Sequence, residues 1–246
     1  MSSNATLRVG IVGASGFTGA ELMRLIANHP NMSLTVATGD TQAGTSIRSL
    51  YPSLASDFGE MVYSVYDPQD FVGLDAVFLG LPHMASQPVV GDLFKEVGCI
   101  LDLGSDFRLK DPDLYPRWYG AEHTMPELID EFVYGLPELY RSDLEGARGI
   151  AVPGCYPTTA ALALAPFVLA DKIETTGVIV DAASGVSGAG RSLQPATAFA
   201  AVDENFNAYG LLTHRHTPEM EQVSGCEILF TPHLAPMVRG ILATCY

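Results

Sequence analysis

Apolar and polar positions along this chain change period in a regular order, and that order predicts a fold. Leu7–Val12 is a β-type run that leads into a glycine turn, after which residues 20–27 carry apolar side chains at helical spacing. Residues 34–38, 61–66 and 76–79 read as strands, 87–97 as a helix, 100–103 as a further strand and 149–152 as the last strand of this half. Strands that alternate with helices indicate a parallel, doubly wound α/β sheet. The regularity is lost over residues 111–137, a Pro- and aromatic-rich stretch, and an irregular segment of that length inside a domain is often functional. Further on, Pro157 suits the first position of a helix, which the apolar run 160–170 continues. Residues 177–183, 227–231 and 238–246 are β-type. Before the second of them a helix is predicted, with Thr217 as N-cap and Pro218 as its first residue. The predicted division is residues 1–153 and residues 154–246.

Composition narrows the function classes. The 246 residues, 48% of them hydrophobic, suffice for one large domain or two smaller ones with proper cores. A formal net charge of −15, with three Lys and ten Arg, excludes a protein that tracks a phosphate backbone, so any anionic ligand must be met locally. Residues 1–8 are polar, without a basic region followed by an apolar one, and no run reaches the length of a membrane span; the reading is a soluble, cytoplasmic protein. Cys99, Cys155, Cys226 and Cys245 lie far apart, which signals neither a zinc ribbon nor a disulfide scaffold.

Several stretches carry chemistry. Gly13-Ala14-Ser15-Gly16-Phe17-Thr18-Gly19, between a strand and a helix, allows the backbone to approach a pyrophosphate while the helix start supplies amides to its charge. Asp40, after the second strand, can accept bonds from the adenosine ribose hydroxyls and would repel a 2′-phosphate, which leans towards NAD; a solvated loop Asp is the alternative. Pro82 and His83 follow the strand 76–79 at the sheet edge where ligands bind in such folds, and Arg108 emerges from another strand's end, suited to a carboxylate or phosphate. Cys155 stands at a helix start, where unpaired amides and the helix dipole favour a thiolate, although an isolated Cys is more often structural. Ser184 and Gly185 begin a Gly- and Ser-rich loop that ends at Arg191 and can fold round a small ligand. His214 and His216 precede the predicted helix. They fit a zinc site poorly, with only His233 nearby, and fit better as acid/base partners of Cys155, with Glu219 able to orient an imidazole.

Taken together, these blocks resemble N-acetyl-γ-glutamyl-phosphate reductase, a family related to aspartate-semialdehyde dehydrogenase. The resemblance extends to Tyr134-Gly135-Leu136-Pro137-Glu138-Leu139, Gly154-Cys155-Tyr156-Pro157-Thr158 and Asn205-Phe206-Asn207-Ala208-Tyr209-Gly210, in the family's order. It implies a Rossmann domain with a nicotinamide cofactor, NADP in this family, followed by a glyceraldehyde-3-phosphate-dehydrogenase-like α/β dimerisation domain in a homodimer or homotetramer. The implied reaction is reduction of an acyl phosphate to an aldehyde through a thioester on Cys155. His216 is the implied acid/base, His214 its rival or helper, and Arg108, Arg191 and Arg215 hold the anionic substrate. Two departures accompany it. Gly39-Asp40 replaces a Ser-Arg-type sequence that suits the 2′-phosphate. Family members also continue beyond the position that matches Tyr246, so the second domain is expected to be incomplete and the chain by itself poorly active. A semialdehyde dehydrogenase for another acyl group, or a truncated dinucleotide-binding fragment, is the alternative reading.

Overall fold

Six short strands lie side by side and all run the same way: β1 (Leu7–Val12), β2 (Met32–Ala37), β3 (Ala76–Leu79), β4 (Cys99–Asp102), β5 (Phe132–Tyr134) and β6 (Gly149–Ala151), in the order β2-β1-β3-β4-β6-β5. This computed structural model describes residues 6–246, so the first five residues of the polar 1–8 segment lie outside the described residues. The chain moves outward from β1 in both directions, to β2 first and then to β3 and β4. Right-handed crossovers in opposite directions place the connecting helices on opposite faces, which is the doubly wound arrangement expected. All four residues of β3 are buried, as a strand covered on both faces requires. Helix α1 (Phe17–Ala27) returns the chain to β2 and presses Met23 and Ile26 against Val9, Ile11 and Leu34. Helix α2 (Ser86–Leu93) buries Val89, Val90 and Leu93 in the same periodic manner and ends four residues before the limit read from the sequence.

Two readings of this half are corrected. Residues 61–66 form no strand of the sheet: Ser64 bridges Thr38 in parallel and Val62 bridges Ser46 antiparallel, so no single partner builds a ladder, and Val62 and Val65 stay exposed. The stretch 111–137 contains β5, which extends the sheet beyond β6. Phe132 is held there by Phe107, stacked at a ring separation of 4.1 Å.

By contacts the chain divides into two units, Met1–Phe107, Thr124–Gly135 and Tyr140–Val152 in one, and Arg108–His123, Leu136–Leu139 and Pro153–Tyr246 in the other. Two stretches that precede residue 153 thus belong with the second unit. Its centre is helix α3 (Cys155–Leu169) and a four-stranded mixed sheet of β7 (Val178–Ser184), β8 (Asn207–Ala208), β9 (Ile228–Leu234) and β10 (Ile241–Cys245), ordered β10-β7-β9-β8. β7 and β9 run parallel, and their connection carries helix α4 (Thr217–Ser224); β8 and β10 pair antiparallel. Alternate residues of β7, Val178, Val180 and Ala182, face a core shared with Tyr156, Ala160 and Leu164 of α3, Met220 of α4 and Phe230 of β9. Full burial of a side chain such as Phe230 or Leu164 contributes about 2 kcal/mol. That packing fixes the first turns of α3 and α4.

Candidate active site

Helix α3 starts two residues earlier than Pro157 suggested. Cys155 is its first residue and Gly154 its N-cap, with no side chain capping the first turn. Pro157, third in the helix, still falls among the positions whose N–H groups have no intrahelical acceptor, so its ring costs no hydrogen bond. The ladder begins with the Thr158 N–H donating to the Gly154 carbonyl at 2.9 Å. Cys155 is exposed as a residue, while protein crowds round its thiol closely enough to desolvate it in part.

Gly154 is a glycine because other groups occupy the space of a side chain. A β-carbon there would lie 2.7 Å from Nε2 of His216 and 2.9 Å from a terminal nitrogen of Arg108. An imidazole and a guanidinium therefore converge on the residue that precedes the thiol. Glu219 ties the group together: fully buried, it accepts the Gly154 N–H on Oε1 at 2.8 Å and pairs through Oε2 with Arg108 at 3.4 Å. Arg108 is itself buried, and its carbonyl accepts the Gln222 amide at 2.9 Å. Glu219, read from the sequence as a partner for an imidazole, is thus bonded to backbone and guanidinium.

The two histidines have different surroundings. His216 occupies the N-cap position of α4, one residue before the expected Thr217, and Thr217 rather than Pro218 is the first helical residue. His214 is enclosed by aromatic rings, with Tyr156, Phe230, Tyr209 and His216 at ring separations of 4.9 to 5.6 Å. Its Nδ1 accepts the backbone N–H of His216 at 3.1 Å, which assigns the proton of the neutral ring to Nε2. Burial, helped by the nearby Arg215 charge, lowers its pKa to about 4. His214 is accordingly neutral near pH 7.

At the thiol the balance differs from the expectation. Desolvation pushes the Cys155 pKa up; the Tyr156 amide, the Arg108 charge and the Cys155 amide pull it down, and Glu219 pushes it up again, with a net rise. The amides act as the sequence suggested, and removal from water outweighs them. A proton acceptor is needed for the thiolate to form.

Around this centre, the Tyr156 hydroxyl lies 3.0 Å from that of Tyr209 and donates to the His233 carbonyl at 3.3 Å. Neither tyrosine was singled out for chemistry from the sequence, although Tyr156 follows the thiol directly. Ser184 is buried at the end of β7, and Gly185 lies against the backbone of Arg239, where a β-carbon would stand 2.6 Å from its nitrogen. Arg191 and Arg215 are exposed and form no ion pair among the described residues.

In the other unit, the glycine turn closes over the ends of β1 and β3. Gly13 has φ +83°, and a β-carbon on it would stand 2.5 Å from the Gly80 carbonyl oxygen. The turn is tied to the end of β2 by the Ala14 N–H donating to the Thr38 carbonyl at 2.7 Å and by the Ser15 hydroxyl donating to the Gly39 carbonyl at 3.3 Å. Helix α1 begins with Gly16 as N-cap and no side-chain cap, so Phe17, Thr18 and Gly19 start a helix whose first amides are left to an anion. These residues fit a dinucleotide pyrophosphate, at the switch point where the strand order reverses. Asp40 follows with φ +40°, an uncommon conformation for a residue with a side chain, and is exposed. His83 and Pro82 are exposed too, and Nδ1 of His83 lies 2.8 Å from the Ser105 hydroxyl.

Behind that loop is a buried network that sequence reading missed. Asp106 accepts the N–H groups of Met84 and Ser86 at 2.7 and 2.9 Å, and Asp102 accepts the Ser86 hydroxyl and the Gly104 N–H at 2.7 and 2.9 Å. Both carboxylates are fully buried. An Asp within an apolar strand and a second one four residues on were the available signal.

Residues 8–147 match the NAD binding domain of semialdehyde dehydrogenase, and residues 155–246 match the semialdehyde dehydrogenase dimerisation domain. N-acetyl-gamma-glutamyl-phosphate reductase of Symbiobacterium thermophilum is 48% identical over 98% of this chain and 71% of its own length. The probable N-acetyl-gamma-glutamyl-phosphate reductase of Arabidopsis thaliana, described as chloroplastic, is 45% identical over 98% of this chain and 61% of its own. Among solved structures, aspartate semialdehyde dehydrogenase with NADP from Candida albicans superposes with a TM-score of 0.67 over 98% of this chain and 71% of that one; at 13% identity this is a likeness of fold.

Proposed function

Because the chain belongs to the semialdehyde dehydrogenase family, and within it to the N-acetyl-γ-glutamyl-phosphate reductases, we propose that it reduces N-acetyl-glutamyl 5-phosphate to N-acetyl-glutamate 5-semialdehyde in arginine biosynthesis. The observation that carries this reading is the convergence of His216 and Arg108 on Gly154, the residue before Cys155. His216 takes the thiol proton, which the raised pKa of Cys155 makes necessary. The thiolate attacks the acyl carbonyl, the bond to phosphate breaks, and a thioester on Cys155 remains while phosphate leaves as an anion. The first amides of α3 face the developing oxyanion. A bound nicotinamide supplies the hydride that reduces the thioester carbonyl. His216 then returns its proton as the thiohemiacetal collapses to aldehyde and free thiol.

Arg108, fixed by Glu219 and by its own carbonyl, is the preorganised cation for the substrate phosphate or carboxylate; Arg191 and Arg215, both exposed, complete the neutralisation that a chain of net charge −15 needs at its site. Ser184 and Gly185 line the substrate side. Gly13, Ser15, Gly16, Phe17, Thr18 and Gly19 hold the dinucleotide pyrophosphate, with Pro82 and His83 beside it. The cofactor is NADP by kinship, and Asp40 is the residue on which the choice against NAD turns. No helix among the described residues is long and apolar enough to cross a membrane. Exposed Leu229 on β9 and Leu242 on β10, the strands on either side of β7, support pairing of two copies, as a homodimer or as half of a homotetramer.

Acyl trapping tests the reading. Without nicotinamide, the acyl phosphate should leave an acetylglutamyl adduct on Cys155, found by peptide mass spectrometry and missing in Cys155→Ser. Failure to form it, or equal labelling from an aspartyl phosphate, would reject the proposed substrate.

A further inference from the structure

His214 has a tie to His216 that proton transfer does not require. Its Nδ1 accepts the His216 N–H at 3.1 Å, while its carbonyl accepts the Thr217 N–H at 3.0 Å. A side chain that bonds the amide two residues on, beside a backbone bond over the same turn, is the arrangement by which Asn and Asp fix turns. The ring cannot drift from this bond, because the edges and faces of Tyr156, Tyr209 and Phe230 stand round it at 5.2 to 5.6 Å. On the remaining side Gly210 packs so closely that a β-carbon on it would be 3.4 Å from Cδ2 of His214. The amide so held belongs to the residue whose Nε2 reaches the site of a side chain on Gly154.

We propose that His214 is a positioning residue, which fixes the backbone of His216 and thereby the imidazole at the thiol helix, and is neither an acid/base nor a substrate ligand. The inference rests on the assignment of proton transfer to His216. A group committed as acceptor through Nδ1 cannot take a second proton there without breaking the bond, and its low pKa keeps it from gaining one near neutrality. The direction of the bond also separates two properties of the ring. Asparagine can make the same bond through Oδ1 but loses the aromatic contacts; phenylalanine keeps the contacts and loses the bond.

The test is the pH dependence of Cys155 alkylation by iodoacetamide in the unmodified chain and in His214→Asn, His214→Phe and His216→Asn, with Cys155→Ser as blank. This readout needs neither cofactor nor turnover. The unmodified chain should show a reactive limb below the pH at which Cys155, with its raised pKa, would ionise unaided, because the His216 imidazole accepts the thiol proton as the reagent attacks. His214→Asn should retain that limb within about threefold, whereas His214→Phe should reduce it about tenfold with alkylation at high pH unchanged, in line with loss of one orienting contact. Retention of the limb in His214→Phe overturns the proposal. So does its equal loss in both variants, which would make His214 itself the partner of the thiol. If His216→Asn keeps the limb, or the unmodified chain lacks it, the assignment of His216 has failed. His214 is then judged by hydrogen exchange of the His216 amide: protection kept in His214→Asn and lost in His214→Phe supports the positioning role, and equal exchange in the two overturns it.

Discussion

Nε2 of His216 lies 2.7 Å from the point at which a side chain on Gly154 would begin. The spacing is closer than a β-carbon tolerates, so the imidazole and the residue before the thiol occupy a single complementary shape. Arg108 stands at 2.9 Å from the same point, which leaves the added carbon no direction of escape.

Gly154→Ala should therefore displace the imidazole, the guanidinium or the start of α3. Gly154 has φ −64° and ψ 156°, a conformation alanine adopts freely, so the fold should survive. A displacement of about 1 Å at reacting groups costs about 100-fold in rate. The check is the rate of acyl transfer to Cys155 beside a melting curve. Normal transfer in a stable variant would show that the close approach is not part of the chemistry.

Glu219 and Arg108 form a buried pair, and breaking it differs from weakening an exposed one. Both side chains are almost wholly out of water, with Oε2 at 3.4 Å from the guanidinium. Glu219→Gln keeps an acceptor for the Gly154 N–H but leaves the Arg108 charge without its counter-ion, a loss of about 3 kcal/mol. Urea unfolding should show a lower midpoint with an unchanged slope. Glu219→Asp, which keeps the charge but shortens the reach, should recover part of the stability and little of the acyl-transfer rate.

Most strands of the first sheet were legible in the chain because apolar runs such as residues 9–12 and Ala76–Leu79 are buried at every position and admit few alternatives. Phe132–Tyr134 was hidden because three residues cannot display a period; its place depends on the stacking of Phe107, distant in sequence. Residues 61–66 misled because their apolar character suits an inner strand, whereas they serve only two isolated bridges. At the site, the residue types at Cys155, His216 and Arg108 were visible, since each is chemically distinctive in its local pattern. What linked them was not visible. The Glu219 bond to the Gly154 amide spans 65 residues, and the separation of the two histidines arises from packing against Tyr156 and Phe230, which no local spacing encodes.

The depressed pKa of His214 makes stability depend on pH in a fixed direction. Folded, it titrates at about 4 against 6.5 for the free side chain, so between those values the unfolded chain binds the extra proton. Its contribution is fully present above pH 6.5 and is lost as the pH falls towards 4. The stability gap between the unmodified chain and His214→Phe should accordingly shrink when urea unfolding is repeated at pH 7.5, 6 and 4.5. A gap that stays constant or widens on acidification would mean that His214 is charged in the folded protein.

Asp40 offers the sharpest test of cofactor choice. It follows Gly39, whose carbonyl accepts the Ser15 hydroxyl of the glycine turn, so it is fixed by one residue to the loop that would hold the pyrophosphate. Its exposure and φ of +40° keep the carboxylate free of a strand's packing. A carboxylate near the adenosine ribose disfavours a 2′-phosphate by charge repulsion and favours the free hydroxyls by accepting their hydrogen bonds. Asp40→Ser removes both effects and should shift the ratio of kcat/KM for NADPH over NADH upward by about tenfold, equivalent to about 1.4 kcal/mol. Repeating the comparison at high ionic strength should shrink the shift, since the repulsive part is screened. An unchanged ratio would place Asp40 outside the ribose site and leave the preference to other residues of the turn.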